Sequence, residues 1–326
     1  MSHLQLTDDE IALLRYTCDL YFVEESPLFF LESEKRVPED LTNSYRQLEQ
    51  KRVVDPSTFQ ITDPALDQLA PVTECDARVV HLQKRENQDT RLIDYYLLDE
   101  IAVKYRNEDT GHLMGVDMDT DELVAFLARR LVPRQSSGDL LLVDLTPLEI
   151  IALAQLSAPL RTNPQAPIVT DPERLPALAN THAKEADPKG QDNTFLGVLG
   201  VRTLPQNHNP KTDAMPKSHE EVWQLALEGL FAKGLLKRWD NGVKLNTAFK
   251  RFVTALHQKE RHVFVRYDFG DDEWFIREST LIPTDGSLYW VGMSDDGLVT
   301  IKELDGDRLR EVLNTAVGPL AKKHTT

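Results

Sequence analysis

One acidic run in the chain has residue types that could bind a cation. Aspartate occupies every second position of Asp117–Glu122, which is how the calcium-binding loop of an EF-hand begins. That loop requires glycine at its sixth position and glutamate at its twelfth, and these positions hold Glu122 and Ala128. We therefore expect no metal here. The pattern instead predicts the end of a strand followed by a helix that Asp121 caps.

The other residue types that carry chemistry are dispersed along the chain. Its two cysteines, Cys18 and Cys75, have no cysteine or histidine nearby at metal-ligand spacing, and its nine histidines are scattered. The glycine-rich loops that bind phosphates and the nucleophile elbow of hydrolases are missing from the sequence. We predict no catalytic, cofactor-binding or metal-binding residues, no cofactor, and a protein that is not an enzyme.

Charge is distributed unevenly over the 326 residues. The net charge is -16, and residues 1–140 hold 28 acidic against 15 basic residues, whereas residues 206–326 hold 18 against 17. An acidic surface repels phosphate backbones, which argues against nucleic acid as the main partner. Few cysteines, an acidic start and no apolar run of about 20 residues predict a soluble cytoplasmic protein with no membrane partner.

Two segments have the pattern of a capping box at the start of a helix. Thr7 is followed three residues later by Glu10, and Thr146 is followed in the same way by Glu149. A second helix follows each start, and in these helices Lys51 aligns with Lys233 in the sequence Lys-Gly-Leu-Leu. The glycine of that sequence, Gly234, suits the left-handed residue that ends a helix.

The same order of elements follows in both halves, which predicts an internal repeat. A short alternating segment and a helix lead to three or four strands, with turn residues between them, and then to a closing helix. The predicted fold class is α+β: a tandem duplication of a helix-rich, winged-helix-like unit followed by an antiparallel sheet and closing helix, with quasi-twofold symmetry. The predicted modules are residues 1–135 and 140–320, the second with a proline-rich insertion at 158–218.

An apolar island interrupts this proline-rich insertion. Five large apolar side chains there would expose a continuous patch unless something covered them. Either the island docks on its own domain as ordinary core, or it contributes to a partner-binding surface by adding to a sheet edge. The candidate partner-binding residues are Phe195, Leu196, Val198, Leu199 and Val201.

The second half resembles the EspG-type chaperones of type VII (ESX) secretion. The resemblance runs through Leu145-Thr146-x-x-Glu149, Leu230–Leu236, Val243–Leu256, the strands between His262 and Ile301, and the closing helix to Val317. It is one of element order and hydrophobic pattern, and the first half shows a fainter version of it. The resemblance implies a quasi-twofold α+β protein that holds the helical tips of secreted proteins in the cytosol.

Two functional interpretations remain at this stage. The first is a non-enzymatic cytosolic chaperone or adaptor whose partner is a helical, secreted protein. The alternative is a winged-helix transcription regulator or another nucleic-acid-associated protein, with Leu41–Arg52 as its recognition helix. That helix carries Arg46, Lys51 and Arg52, but acidic residues surround them, whereas base readout needs a positive footprint.

Overall fold

A computed structural model describes residues 3–18, 20–23, 26–29, 40–85, 88–132, 140–150, 152–153, 156, 219–239, 242–255, 260–270, 273–284, 286–294 and 297–317. Helices combine with a large antiparallel sheet, so the predicted α+β class is confirmed. The chain divides into two compact units. Unit 1 comprises residues 1–131, 262–277 and 307–326, and unit 2 comprises residues 132–261 and 278–306.

Within the described residues, unit 1 begins with a short strand and a helix and ends with a helix. Its strands follow the order β1-β5-β4-β3-β2-β9. Its elements are β1 (Leu4–Leu6), α1 (Asp8–Cys18), α2 (Leu41–Gln50), α3 (Asp63–Thr73), β2 (Ala77–Arg85), β3 (Gln88–Leu98), β4 (Ile101–Glu108), β5 (Gly111–Asp119), α4 (Thr120–Leu131), most of β9 (Glu260–Gly270) and α7 (Gly306–Val317).

Unit 2 also begins with a short strand, and helical residues follow from Pro147. Its larger group of strands follows the order β10-β11-β12-β6, and β7 pairs with β8 in a separate two-stranded hairpin. Its elements are β6 (Leu142–Leu145), α5 (His219–Ala232), β7 (Leu236–Trp239), β8 (Gly242–Leu245), α6 (Thr247–Ala255), the second part of β10 (Glu273–Pro283), β11 (Leu288–Met293) and β12 (Val299–Leu304).

Both predicted capping boxes are confirmed. The carboxylate of Glu10 accepts a hydrogen bond of 2.7 Å from the Thr7 backbone N–H, and the Glu10 N–H donates to the Thr7 hydroxyl at 3.3 Å. Thr146 and Glu149 form the same two bonds with the same lengths. Each box satisfies N–H groups that have no partner within their own helix. The sequence therefore specifies both helix starts locally.

The helices that follow also end in the same way. Arg52, just after α2, has a φ of 57°, and Gly234, just after α5, has a φ of 69°. The next residue in each case, Val53 or Leu235, bonds back into the helix, with N–H to carbonyl distances of 2.9 and 3.0 Å. This arrangement satisfies the final carbonyls of a helix. The predicted left-handed conformation of Gly234 is confirmed.

Each unit has its own hydrophobic core, formed where its helices cover one face of its strands. In unit 1, residues from α1, α2 and α3 pack against β1, β4 and β5, with Ile11, Leu48 and Met114 fully buried. In unit 2, residues from α5, the β7–β8 hairpin and α6 pack against β6, β11 and β12, with Phe249 and Phe252 fully buried. Burying a side chain of this size contributes about 1.5–3 kcal/mol.

Two short strands of the structure were not predicted from the sequence. β1 and β6 immediately precede the two capping boxes and pair with β5 and β12, more than 100 residues away in the chain. Leu6 therefore pairs with His112 and Leu145 pairs with Val299, which was not predicted from the sequence. Strands of three and four residues are too short to show a clear alternating pattern.

Candidate partner-binding surface

The five apolar residues predicted to bind a partner, Phe195, Leu196, Val198, Leu199 and Val201, lie outside the described residues, as does the whole insertion at 158–218. The acidic run at 117–122 is described, and it forms a helix start. Asp119 accepts a 2.7 Å hydrogen bond from the Glu122 N–H, and Tyr95 donates its hydroxyl to Asp117 at 3.1 Å. The expected strand end and cap are thus confirmed, but the capping residue is Asp119, and the prediction of Asp121 was wrong.

A histidine in unit 1 links an aspartate to a tyrosine in the order found in catalytic relays. Nε2 of His112 lies 2.8 Å from the Asp8 carboxylate, and Nδ1 lies 2.8 Å from the Tyr105 hydroxyl. A substrate would have to reach that hydroxyl, yet Tyr105 is only 5% exposed and His112 only 1%. Tyr105 also packs edge-on against the ring of Tyr96. These hydrogen bonds connect α1 to the β4–β5 hairpin, so we assign them a structural role.

Each capping-box glutamate also binds a lysine at the end of the following helix. Lys51 Nζ lies 2.6 and 2.7 Å from the two carboxylate oxygens of Glu10, and Lys233 Nζ lies 2.5 Å from Glu149. Both glutamates are buried, and the lysines are about one third exposed. Each ion pair connects a helix start to the end of a second helix within its own unit. A β-carbon on Gly229 would overlap the Glu149 carboxylate.

Two buried histidines stack within unit 1. The rings of His81, on β2, and His262, on β9, have centroids 4.4 Å apart and planes 16° apart. Burial, with smaller contributions in the same direction from the nearby His81 and Arg130, lowers the pKa of His262 to about 3. A neutral imidazole is therefore the form that the folded unit accommodates. This pair is a pH-sensitive part of the core.

Unit 2 has a row of side chains on the face of its strands opposite the core, and their exposure increases toward β6. In the ladder, Trp290 on β11 pairs with Lys302 on β12, which pairs with Leu142 on β6. Residues that are directly opposite in an antiparallel ladder share a face, and the Lys302 ammonium lies 5.2 Å above the Trp290 ring. Trp290 and Lys302 are half-buried, and Leu142 is 63% exposed. We call these three residues the β6 face.

The neighbouring row on the same side is small and polar. Gly292 pairs with Thr300, which pairs with Asp144, and the Thr300 hydroxyl donates a hydrogen bond of 2.5 Å to the Asp144 carboxylate. The Trp290 ring covers Gly292 so closely that a β-carbon there would overlap it. The tryptophan is therefore held flat against the strands. A fixed aromatic ring in the same row as an exposed leucine loses little side-chain entropy when a partner binds.

The main chain of β6 adds a second feature to this face. Within the described residues β6 pairs only with β12, at the end of the strand order. Leu141 and Glu303 are bonded through a backbone N–H to carbonyl contact of 2.7 Å, so the alternating ladder directs the backbone groups of Leu142 and Asp144 away from β12. An edge of this kind can accept hydrogen bonds from another chain.

Other large apolar side chains are also exposed among the described residues. Tyr16 and Tyr21 are the most exposed, near the end of α1. Scattered exposed apolar residues are normal, whereas the β6 face combines exposure, a fixed aromatic ring and an edge strand. The remaining exposed apolar residues are Leu41, Leu66, Val132, Leu148, Leu225 and Met293.

Comparisons with known proteins place the chain in no family. No family model matches, and no curated protein matches either. Among solved structures, a match covering 98% of each chain is found in the type VII secretion system chaperone EspG5 from Mycobacterium tuberculosis in complex with the PE25–PPE41 dimer. The two chains are 9% identical, and the TM-score is 0.45. At these values the EspG-type family stays a prediction. Among the described residues no helix is long and apolar enough to span a membrane, and no three potential metal ligands cluster.

Proposed function

We propose that the protein is a non-enzymatic cytosolic chaperone or adaptor that binds a protein partner through the β6 face. The observation that carries the proposal is the exposure of Leu142 on an edge strand, in the same row as Lys302 and Trp290. Protein interfaces are enriched in aromatic residues such as tryptophan. The helical, secreted nature of the partner is what the EspG-type resemblance implies.

The chemistry of the β6 face favours a polypeptide partner. An exposed leucine gains about 1.5–3 kcal/mol when it is transferred fully from water into an apolar contact. The indole ring of Trp290 adds area without the loss of rotamer freedom that a mobile side chain would incur, because it already lies over Gly292. The ammonium of Lys302 can contact carbonyl groups at the end of a partner helix, where the helix dipole is negative.

We further propose that the two units arose by tandem duplication. Three relationships support this proposal: the same capping box, the same glutamate–lysine pair, and the same left-handed helix end occur once in each unit. The strand orders β1-β5-β4-β3 and β6-β12-β11-β10 also correspond element by element. Both units then inherited one scaffold, and partner binding is assigned to the copy with the exposed edge-strand leucine.

The alternative function is nucleic-acid binding by a winged-helix unit. In unit 2, α5 followed by the β7–β8 hairpin has the order of a recognition helix and a wing. However, the sequence of α5 contains Glu220, Glu221 and Glu228 and neither lysine nor arginine. A recognition helix of that composition would repel the phosphates on both sides of a groove. We therefore place nucleic-acid binding second.

The proposal is tested by recovering the partner and then asking whether it depends on the β6 face. The tagged chain is purified from its native host, the co-purifying protein is identified by mass spectrometry, and the two are co-expressed. We expect a stoichiometric complex that keeps the partner soluble. Leu142→Asp should reduce the recovered partner by about tenfold, because it places a charge at the centre of the contact.

The matched control is Leu225→Asp on α5, which makes the same chemical change at another exposed leucine. It should leave partner recovery within about twofold of the unmodified chain, because surface substitutions away from an interface have small effects. Equal losses with both variants would remove the β6 face from the proposal. A partner that stays soluble and separate without this chain would remove the chaperone function itself.

A further inference from the structure

The strand β6 ends the strand order of unit 2, and part of its main chain points away from β12. The Glu303 backbone N–H donates to the Leu141 carbonyl at 2.7 Å, and the register continues from there without a bulge. Because the direction of backbone groups alternates along a strand, Val143 also bonds toward β12, whereas Leu142 and Asp144 direct their N–H and C=O groups to the other side. We call these four groups the β6 edge.

The sequence of β6 lacks most of the features that protect edge strands from pairing with other chains. Lysine, proline and bulges are common protective features, and β6, with the sequence Leu-Val-Asp-Leu, has none of them. In unit 1, β1 ends the strand order in a different way, because the Leu4 N–H donates to the Gln68 side chain on α3 at 3.1 Å. Among the described residues, no side chain binds the β6 edge in this manner. Its four residues can pair with a short extended segment of another polypeptide.

The side chains of β6 indicate which segment would fit. Leu142 and Asp144 are both exposed and lie on one face, whereas Val143 between them is buried in the core of unit 2. A carboxylate has about four acceptor positions, and Asp144 uses one of them for the Thr300 hydroxyl. Opposite charges and apolar pairs stabilise neighbouring strands when they face each other directly. A basic residue therefore fits opposite Asp144, and an apolar residue fits opposite Leu142.

The direction of the added strand follows from the same geometry. In an antiparallel pair, two residues that face each other can exchange both of their backbone hydrogen bonds. Two partner residues, opposite Asp144 and Leu142, would then satisfy all four groups of the β6 edge. Read along the partner chain, the basic residue comes first and the apolar residue follows two positions later. The net charge of -16 also favours the approach of a basic segment.

We propose that the partner protein adds an extended segment to the β6 edge as an antiparallel strand, with a basic residue opposite Asp144 and an apolar residue opposite Leu142. The inference rests on the proposed function in one respect, that the partner is a polypeptide bound at the β6 face. Main-chain hydrogen bonds supply affinity in strand addition, and the alternate side chains supply specificity. The β6 edge thus selects a sequence pattern as well as a conformation.

The test measures binding of a defined peptide to the full chain. The probe is a fluorescein-labelled peptide of about eight residues, in which threonines flank the sequence Arg-Val-Leu, and its anisotropy is measured as protein is added. In the proposed register, the arginine and leucine N–H groups donate to β6, and the valine N–H points away. Methylation of the leucine nitrogen should weaken binding by about tenfold or more, whereas methylation of the valine nitrogen should change it by no more than about threefold. These two peptides have the same composition and charge.

Two further comparisons test the side-chain pairing. A peptide with the reversed sequence Leu-Val-Arg should bind at least about fivefold more weakly, because leucine then faces Asp144. Asp144→Lys should weaken binding of the arginine peptide by about tenfold and should restore binding to a peptide with glutamate in place of arginine. The matched control is Asp109→Lys, at an exposed residue of the β4–β5 turn, which should retain binding of the arginine peptide within about twofold.

Four results would overturn the inference. They are no saturable binding of the unmethylated peptide, equal binding of the two methylated peptides, equal binding of the reversed peptide, and a dimer that Leu142→Asp converts to monomers. The last result, seen by light scattering, would assign the β6 edge to a second copy of the chain. Circular dichroism of Asp144→Lys establishes that a loss of binding is not a loss of folding.

The two proposals fail in different ways. If Leu142→Asp loses the co-purified partner but the two methylated peptides bind equally, the strand addition is wrong and the proposed function stands. If methylation of the leucine nitrogen alone abolishes peptide binding but no protein partner is ever recovered, the strand recognition stands and the chaperone function is wrong.

Discussion

Arg52 and Gly234 occupy the same left-handed position one residue beyond a glutamate-bound lysine, the first in unit 1 and the second in unit 2. The two residues adopt this conformation at different energetic cost. Glycine adopts a positive φ without a steric penalty, whereas an L-residue pays about 1–2 kcal/mol for it. Unit 1 therefore retains strain at a site where unit 2 has none.

This difference predicts opposite effects of substitution at the two positions. Arg52→Gly should raise the free energy of unfolding of unit 1 by about 0.5–1 kcal/mol, because relief of the strain exceeds the added entropy of the unfolded chain. Gly234→Ala should lower it by about 1 kcal/mol in unit 2. Urea denaturation measures both. Gly306→Ala, where φ is not positive and no atom lies within 4 Å of the new β-carbon, is the control and should not lower the free energy of unfolding.

Replacing Gly229 with alanine should change stability in the direction opposite to the one that helix propensity predicts. In an ordinary helix, a glycine to alanine substitution raises the free energy of unfolding by about 1 kcal/mol. In α5, the new β-carbon would overlap the Glu149 carboxylate, so Gly229→Ala should instead lose about 1–3 kcal/mol. The same substitution in a Glu149→Ala background should be stabilising, since the carboxylate is gone. Thermal unfolding of the four chains forms a double-mutant cycle, and a stabilised Gly229→Ala single variant would contradict the overlap.

The Glu10–Lys51 pair predicts that removing one partner costs more than removing both. Lys51→Met leaves a buried carboxylate without its cation, which should cost about 2–3 kcal/mol, less than for a fully buried pair because Lys51 is one third exposed. Adding Glu10→Gln should recover about half of the loss. Lys237→Met, at an exposed lysine of β7, should stay within about 0.5 kcal/mol of the unmodified chain in the same urea titration.

The His81–His262 stack predicts loss of stability in mild acid. The folded-state pKa of His262 is lowered to about 3 by burial and by His81 and Arg130, whereas an unfolded histidine has a pKa near 6.5. Below about pH 6.5 the unfolded chain therefore binds a proton at this histidine, whereas the folded chain does not. Above that pH His262 does not affect the pH dependence of stability. Below it, each pH unit should lower the free energy of unfolding by up to about 1.4 kcal/mol.

The measurement compares unfolding at pH 7 and pH 5 for the unmodified chain and for His262→Phe, which keeps a ring in the stack. The variant should lose less stability between these two pH values, because phenylalanine binds no proton in the unfolded chain. His3→Phe, at an exposed histidine, is the control and should follow the unmodified chain. An identical pH dependence of His262→Phe and the unmodified chain would show that other groups account for the acid sensitivity.

The parts of the fold that could be predicted are those specified by neighbouring residues. Thr7 and Glu10 stand three residues apart and bond to each other, and Gly234 needs only its own backbone to end α5. The aligned lysines at 51 and 233 were also visible in the sequence. Their ion pairs with the two box glutamates span 41 and 84 residues, and that separation hides the contact from any local pattern.

The candidate surface was missed for a related reason. Leu142 in sequence is one leucine among several before a capping box, and nothing nearby shows that its side chain lies beside Lys302 and Trp290. Strand register is set by pairing between distant segments, and a shift of one residue would move Leu142 to the core face. The composition of the chain instead favours the apolar island at 195–201 as the partner-binding surface. That prediction stays open.

The Asp8–His112–Tyr105 relay has a consequence for how local opening of unit 1 can be observed. A carboxylate can only accept a hydrogen bond, so the imidazole Nε2 carries a proton, and Nδ1 shares a hydrogen bond with the tyrosine hydroxyl. Both ring nitrogens are thus held by partners, and the Nε2 proton is shielded from exchange with water. In a nitrogen-15 NMR spectrum that proton should give a sharp ring signal. The rate at which this signal is lost would measure how fast α1 separates from the β4–β5 hairpin before the rest of the unit unfolds.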